Sequence, residues 1–315
     1  IEKDVMYELK QRLEAGSDYK APASTLALLS DAVFRVDSID PETNERFIVA
    51  KSLKDALKSP DWDTKWKPAI IKEIDGLEAR GVWKRVPRSQ VPRGTIILPS
   101  HLVFDVKYDA AGKYSKHKAR LVADGNRSLH GMHYFESSSQ VMHSASMKMM
   151  ASVSTAEWGR AVEEARKKRG ADKVDVSEFD YMKIHTIDVS QAYTIVDRDD
   201  DDPLVWMELP KGIDQDQQSR SEYVALMQKM LYGEKGAGRA WMLYLDRFLR
   251  QKFGAVPIIA DRCVYQIEYL GHRLVVGTFV DDISYYGTSK WIVDYFLREF
   301  RAHFGEDQIT GCLLY

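Results

Sequence analysis

Gly277-Thr-Phe-Val-Asp-Asp-Ile-Ser-Tyr-Tyr286 is the stretch of this sequence that decides its fold. Two adjacent carboxylates, Asp281 and Asp282, lie between apolar segments that are rich in β-branched and aromatic residues. Such segments favour strands, and two strands joined by a short polar connection form a β-hairpin. The sequence therefore predicts a hairpin whose tight turn carries both acids.

The acidic pair indicates a cation site. Like charges this close repel each other, so a folded protein seldom places them at the tip of an apolar hairpin without a cation to hold. A further carboxylate, Asp188, ends another strand-like run. Three carboxylates from two neighbouring strands suit a two-magnesium phosphoryl-transfer site, because the two metals hold the attacking and the leaving oxygen. The alternative interpretation is an acidic turn and an unrelated acidic strand end.

Composition is that of an ordinary globular protein. The chain has 315 residues, 44% hydrophobic and 29% charged, which is enough for one large lobed domain or two. No apolar run approaches a membrane span and no signal-peptide pattern opens the chain, so we expect no membrane association. Cys263 and Cys312 are the only cysteines, which excludes a disulfide framework. Because the first residue is Ile, we expect a piece of a longer polypeptide.

Charge is unevenly distributed along the chain. The net charge is −2, yet residues 80–130 hold eleven Lys or Arg against three acids. Polyanion binding depends on local basic surface rather than on the global sum, so this segment is a candidate nucleic-acid or triphosphate surface. Its basic side chains cluster on a predicted hairpin, 102–108 and 114–122, with a turn at 109–112. The alternative interpretation is a solvated charged face.

Helical and strand-like periodicities mix without regular alternation, which favours an α+β fold. The predicted helices are 52–81, 141–169, 221–231, 240–252 and 291–304. The predicted strands, besides the basic hairpin, are 182–189, 205–209, 263–268 and 273–279.

Seven motifs in order give the sequence a resemblance to a known family. From about residue 52 to its end, the chain resembles the reverse transcriptase region of a copia-type LTR retrotransposon polyprotein. The last motif, Phe279-Val-Asp-Asp282, has the aromatic-X-Asp-Asp pattern of reverse transcriptases. The others are, in chain order, Lys54-Asp-Ala-Leu-Lys-Ser-Pro-Asp-Trp62 with Trp66-Lys-Pro-Ala-Ile-Ile-Lys-Glu73, Gly81-Val-Trp-Lys-Arg-Val-Pro87, His117-Lys-Ala-Arg-Leu-Val-Ala-Asp-Gly125, Thr186-Ile-Asp-Val-Ser-Gln-Ala-Tyr193, Val205-Trp-Met-Glu-Leu-Pro210, and Leu231-Tyr-Gly-Glu-Lys with Arg239-Ala-Trp241.

The resemblance implies an RNA-directed DNA polymerase, a nucleotidyltransferase with an α+β right-hand polymerase fold. In that fold an antiparallel palm sheet is expected to have helices packed on one face. The expected fingers are 52–132 and 197–239, and the expected palm, with the catalytic site, is 133–196 and 240–315. Residues 1–51 are expected to be a linker or N-terminal extension. The chain would stop before the family's thumb and ribonuclease H.

The resemblance also implies roles for individual residues. Asp188, Asp281 and Asp282 would be the catalytic carboxylates. With the backbone carbonyl of Val189, they would hold two Mg²⁺ ions, with Mn²⁺ as an alternative. The dNTP would be bound by Lys107, Lys118, Arg120, Gln191 and Tyr193. The templating pocket would be lined by Tyr232, Gly233 and Lys235.

Tyr193 occupies the position at which the family has an aromatic ring under the nucleotide sugar. A ring there would clash with a 2′-hydroxyl and so select deoxynucleotides. The alternative is a tyrosine of the hydrophobic core. One departure from the family pattern is Glu234-Lys-Gly-Ala-Gly-Arg239, where a Pro is lost and two Gly are gained, and we expect this loop to be looser.

A second functional class stays open: a catalytically inert nucleic-acid-binding remnant of a decayed or truncated retroelement. The expected partners of the polymerase are an RNA template, a DNA primer, dNTPs and the other parts of the same polyprotein, integrase upstream and ribonuclease H downstream. The expected location is a cytoplasmic virus-like particle, with nuclear entry of the complex also open.

Overall fold

The computed structural model describes residues 38–39, 46–47, 49–108, 113–210 and 217–313. Most of the predicted N-terminal extension and the predicted turn at 109–112 lie outside these residues. The α-helices are α1 (Leu53–Ala56), α2 (Lys67–Ala79), α3 (Ser144–Arg169), α4 (Gln217–Glu222), α5 (Ala237–Phe253) and α6 (Lys290–Phe304). The strands are β1 (Ser38–Ile39), β2 (Arg46–Phe47), β3 (Trp83–Pro87), β4 (Ser100–Tyr108), β5 (Tyr114–Ala123), β6 (His185–Val189), β7 (Trp206–Met207), β8 (Tyr223–Met227), β9 (Val256–Pro257), β10 (Val264–Tyr269), β11 (His272–Phe279), β12 (Asp282–Gly287) and β13 (Ile309–Leu313). No helix among the described residues is long and apolar enough to cross a membrane.

The chain divides into two compact units. One comprises Ile1–Ile70 and Val103–Arg120, and the other comprises Ile71–Leu102 and Leu121–Tyr315. This division does not test the predicted boundaries of fingers and palm, which stay a prediction.

The first unit has an aromatic centre. Trp66 is fully buried, and its ring meets those of Phe104 and His117 edge-on, with centroid distances of 5.1 and 4.2 Å. Burial, followed by the nearby charge of Lys65, lowers the pKa of His117 to about 4. The imidazole is therefore neutral at physiological pH and behaves as part of this apolar centre.

The second unit is built on a six-stranded sheet in the order β13-β6-β12-β11-β10-β9. Every pairing in this sheet is antiparallel, as the sequence predicted. The hairpin of β11 and β12 encloses the acidic turn, and β6 lies beside β12. Both long-range partners of β6, β12 and β13, come from the C-terminal end of the chain.

Helices pack on both faces of this sheet, so the prediction of helices on one face was wrong. One face packs against α5 and α6 through residues such as Leu274, Val276 and Ile283. Val275, which alternates with Leu274 and Val276, belongs instead to a second cluster around Met142 and Met150 at the start of α3. The close fit is visible at β11, where a Cβ on Gly277 would lie 3.0 Å from the sulfur of Met150.

The helices on the first face follow from their apolar stripes. In α6, Ile292, Phe296, Phe300 and Phe304 recur at intervals of four and are all buried. Ser289 caps the start of α6 by accepting a hydrogen bond from the Ile292 amide. Helices α5 and α6 therefore pack against the strands that carry the acids.

A second sheet in this unit has the order β3-β8-β7. Its middle strand, β8, lies within 221–231, where the sequence predicted a helix, so that prediction was wrong. Val224, Ala225 and Met227 are all buried because β8 has a neighbouring strand on each side. A short continuous apolar run of this kind does not distinguish a central strand from a buried helix.

Candidate active site

The acidic turn connects β11 to β12. Val280 has φ of +56°, the left-handed region that β-branched residues rarely adopt. Its carbonyl oxygen accepts a 2.7 Å hydrogen bond from Nε1 of the buried Trp241 on α5. Asp281 follows in the turn and Asp282 is the first residue of β12. Helix α5 therefore holds the turn at the residue before the two acids.

The third predicted carboxylate lies directly beside this turn. Asp188 on β6 is the register partner of Asp282 on β12, and the Val189 amide donates a 3.0 Å hydrogen bond to the Asp281 carbonyl oxygen. Directly opposed side chains in an antiparallel pair have Cβ atoms about 5 Å apart. Because Ile187 and Ile283 face α5 and α6, Asp188 and Asp282 point from the other face of the sheet. The structure therefore brings the three acids together at one end of two strands, as the sequence predicted.

The two adjacent carboxylates of this turn interact electrostatically. Desolvation of its carboxyl, and next the charge of Asp281, raise the pKa of Asp282, although the residue as a whole is exposed. Within the described ranges, no three His, Cys, Asp or Glu side chains converge closely enough to hold a metal ion as they stand. The donor chemistry does fit, since Mg²⁺ takes carboxylate and carbonyl oxygens.

Gln191 and Tyr193 lie in the turn that follows β6. Gln191 has φ of +55°, and Tyr193 is in a short 3₁₀ helix, Ala192–Ile195. Burial, and next the charge of Asp281, raise the pKa of the Tyr193 hydroxyl, so the tyrosine is neutral and close to the acidic turn. Its side chain is half-buried against the main core, as the core alternative expects, and its contact with a nucleotide stays a prediction.

Tyr232, one of the residues predicted to line the templating pocket, lies next to Tyr193. The Tyr232 ring lies 4.8 Å from that of Tyr193, and the Tyr232 carbonyl oxygen accepts a 2.8 Å hydrogen bond from the Ala123 amide. Gly233 has φ of +87°, and a Cβ there would clash with the Ala123 carbonyl oxygen. A Cβ at Gly125 would likewise clash with the Gly233 carbonyl oxygen. The close approach of these two backbones therefore requires glycine on both sides.

Lys235 and Glu234 point in different directions from this loop. The Lys235 ammonium lies 5.6 Å from the centroid of the Tyr134 ring. The Glu234 side chain is buried, forms an ion pair with Arg198 and accepts a 2.9 Å hydrogen bond from the Leu231 amide. The loop that was predicted to be looser is thus tied at its first residue by a buried ion pair.

The three basic residues predicted to bind the triphosphate belong to the first unit. On β5, Lys118 and Arg120 alternate with the buried His117 and Ala119, so they share the outward face. On β4, Lys107 forms a 2.6 Å ion pair with Asp105 on the outward face of that strand. Their role towards a nucleotide stays a prediction.

Two residues of the site were not singled out from the sequence. Trp241 supports the acidic turn, and the buried Glu73 on α2 accepts a 3.2 Å hydrogen bond from the Gln191 amide group. Both are in quoted motifs, but those motifs did not indicate what the side chains contact. The contact of Glu73 could have been anticipated in part. A carboxylate on the apolar stripe of a predicted helix is expected to accept a hydrogen bond from a buried donor.

Comparisons with known proteins find similarity to reverse transcriptases and to retrotransposon polyproteins. Residues 174–312 match the family model described as reverse transcriptase (RNA-dependent DNA polymerase). Three curated relatives are retrovirus-related Pol polyproteins. Those from transposons RE1 and RE2 of Arabidopsis thaliana are 29% identical over 73% and 27% identical over 77% of this chain, and that from transposon TNT 1-94 of Nicotiana tabacum is 25% identical over 77%.

The chain spans 14%, 14% and 16% of the length of these three relatives. The segment matched by the family model includes Asp188, Asp281 and Asp282. The resemblance to copia-type retrotransposon polyproteins is thus confirmed.

Proposed function

We propose that this chain is the polymerase part of a copia-type retrotransposon polyprotein and transfers nucleotides from dNTPs to a primer 3′-hydroxyl on an RNA template. The observation that carries the proposal is the register of Asp188 opposite Asp282, with the Val189 amide bonded to the Asp281 carbonyl. This pairing fixes three carboxylates at the end of two hydrogen-bonded strands. A rigid strand pair is a suitable support for a site in which positioning and charge stabilisation do most of the catalytic work.

The residues would act as follows. Asp188, Asp281, Asp282 and the Val189 carbonyl would hold two Mg²⁺ ions, or Mn²⁺, which supply activation of the primer hydroxyl and neutralisation of the triphosphate charge. Tyr193 would lie under the sugar and exclude a 2′-hydroxyl.

Other residues would contact the template and the nucleotide. Tyr232, Gly233 and Lys235 would line the templating pocket. On the strength of the resemblance, Lys107, Lys118 and Arg120 would hold the triphosphate, where arginine suits paired oxygen contacts best. The proposed setting is a virus-like particle that also contains integrase and ribonuclease H from the same polyprotein.

The test is primer extension on poly(rA)/oligo(dT) with dTTP and Mg²⁺. The parent chain is expected to extend the primer, and Asp281→Asn is expected to lose at least about a hundredfold in rate because it removes a metal-binding charge. Asp200→Asn is the matched control, since it makes the same chemical change at an exposed acid of the 199–202 run. Equal extension by Asp281→Asn and the parent would place the activity elsewhere.

The second candidate is the inert nucleic-acid-binding remnant of a decayed or truncated retroelement. This candidate predicts that the folded parent binds primer–template but does not extend it, and that Asp281→Asn binds equally well.

A further inference from the structure

A cavity of about 450 Å³ lies beside helix α5, and no part of the proposed function uses it. Its walls come from residues 133–136, the loop 196–203, the segment 230–236 and the outer side of α5. None of the residues proposed for the metals, the nucleotide or the templating pocket lines it. Its volume is in the range of known ligand pockets, about 300 to 1,000 Å³.

A buried ion pair forms part of the cavity wall. The side chains of Arg198 and Glu234 are 9% and 6% exposed, and the guanidinium is bonded to the carboxylate. Burial raises the pKa of Glu234 although Arg198 opposes the rise, and the charge of Asp202 adds to it, so Asp202 lies close to the pair. The Nε of Arg198 is buried and has no hydrogen-bond partner among the described residues. A buried donor of this kind is costly to leave unpaired, so it calls for an acceptor.

The charges around the cavity leave an excess of carboxylates. Of the three arginines that line it, Arg198 pairs with Glu234 and Arg239 pairs with Glu136, which leaves Arg247. The acidic loop, residues 199–202, contains four aspartates, and none of them forms an ion pair within the described parts of the chain. Two of the four line the cavity. The unmatched charge at the cavity is therefore mainly negative, which attracts a cation and repels a polyanion.

The rim of the cavity also exposes apolar groups. Phe135 is 55% exposed and Leu243 is 43% exposed, and both line the cavity. Tyr244 lines it as well, with its hydroxyl 2.9 Å from Nε2 of His303. Exposed apolar groups next to charged ones are typical of a surface that contacts another protein, and aromatic rings attract cationic side chains.

We propose that this cavity binds a peptide segment of a partner protein that presents an arginine or lysine side chain to the acidic loop. Apolar side chains of the segment contact Phe135 and Leu243, and one of its backbone carbonyl oxygens accepts a hydrogen bond from Arg198 Nε. A free cation would satisfy the acids alone, whereas a peptide supplies the cation, the apolar groups and the acceptor together. The inference is independent of the proposed polymerase function.

The experiment measures peptide binding to the whole chain by calorimetry at low ionic strength. The probes are two pentapeptides with acetylated and amidated ends, Ala-Leu-Arg-Leu-Ala and the same peptide with citrulline in place of arginine. Citrulline has nearly the shape of arginine but no charge, so the comparison isolates the cation. The parent is expected to bind the arginine peptide about tenfold more tightly.

Neutralising the acids that line the cavity tests their role. Asp199→Asn with Asp202→Asn is expected to remove most of the preference for arginine, with the citrulline peptide bound as before. The fold is expected to persist, because an asparagine at 202 can still accept the 3.0 Å hydrogen bond that the Asp202 carboxylate accepts from the amide of residue 199. Asp172→Asn with Asp294→Asn makes the same change at two exposed acids outside the cavity and is expected to keep the full preference.

Replacing the buried pair tests the role of the unpaired donor. Arg198→Leu with Glu234→Leu removes both charges together, so neither is left buried alone. This variant is expected to bind both peptides about fivefold more weakly, because both lose the bond to the same backbone carbonyl. Urea unfolding of the variant separates this loss from a loss of the fold.

Several results would overturn the inference. They are equal affinity of the parent for the two peptides, no binding of the arginine peptide, an unchanged preference in Asp199→Asn with Asp202→Asn, or the same loss in the control outside the cavity. Binding of oligo(rA) that is weakened by Arg247→Gln would assign the cavity to a nucleic acid instead.

Discussion

Val280 shows at the residue scale how this chain supports its acidic turn. A β-branched residue at φ of +56° is strained, and the strain is located next to Asp281. The hydrogen bond that Trp241 Nε1 donates to the Val280 carbonyl oxygen opposes this strain. Neither feature could be predicted from the sequence, because Val280 is an ordinary strand residue by propensity and Trp241 is 39 residues away.

Trp241→Phe is therefore expected to lower the free energy of unfolding by about 1 to 3 kcal/mol more than the loss of ring volume alone, since it leaves the Val280 carbonyl unpaired. Urea unfolding measures the change. Trp66→Phe is the matched control, because that indole is also fully buried while its Nε1 has no hydrogen-bond partner among the described residues. Equal losses for the two variants would contradict a supporting role for the hydrogen bond.

At the scale of elements, α3 is attached to the sheet through its N-terminus. Its N-cap residue, His143, makes no side-chain cap. The buried Asp261 takes that role from a distance, with Oδ2 accepting a 2.8 Å hydrogen bond from the His143 amide and Oδ1 a 3.0 Å hydrogen bond from the Cys263 amide. Desolvation raises the pKa of Asp261, but the hydrogen bonds from Ser146, His143 and Cys263 outweigh it, so the net pKa is lowered.

The lowered pKa of Asp261 determines how its contribution to stability depends on pH. Because the carboxyl binds its proton less readily in the folded state, its contribution to stability is complete above the unfolded pKa of about 4 and is lost as the pH falls through the folded pKa. Asp261→Asn is expected to cost about 1 to 2 kcal/mol at pH 7, with the difference from the parent shrinking below about pH 4. The free energy of unfolding, measured for both proteins at several pH values, tests this prediction. Asp294→Asn, the same change at a surface residue, is the control. A difference that does not depend on pH would exclude the carboxylate as its source.

Elements specified by local sequence could be predicted, and elements specified by contacts with distant strands could not. The hairpin of β11 and β12 was predictable, because local apolar flanks and an acidic turn specify it. Strand β8 was not, because its burial on both sides comes from β3 and β7. The helix on the second face of the sheet could have been predicted. Leu274, Val275 and Val276 are consecutive apolar residues, and such a run indicates a strand that is covered on both faces.

At the scale of the whole molecule, the placement of the three acids was predictable and their surroundings were not. The motifs specified which strands carry carboxylates, and antiparallel pairing then placed Asp188 opposite Asp282. The Glu73–Gln191 pair joins positions 118 residues apart, and the Arg198–Glu234 pair joins positions 36 residues apart. Contacts of this kind depend on the assembled fold, and one sequence carries no direct signal for them.

Stability of the whole chain offers a check on the nucleotide site. A ligand at a hundred times its dissociation constant stabilises the folded state by about 2.7 kcal/mol, which corresponds to a melting temperature higher by roughly 5 to 10 °C for a unit of this size. dTTP with Mg²⁺ is expected to produce such a shift in the parent. Chelation of Mg²⁺ and Asp281→Asn are each expected to reduce it, and a shift that survives both would indicate nucleotide binding at another place.

Strand β6 has a consequence for the order in which the protein forms during synthesis. Both of its neighbours, β12 and β13, are encoded at least 93 residues after β6 ends. At about 5 to 20 residues per second, a ribosome needs roughly 5 to 20 s to produce β12 after β6. During that interval the strand that carries Asp188 has two open edges, which are prone to pairing with other chains. The nascent chain is therefore exposed to misassembly at the strand on which its proposed chemistry depends.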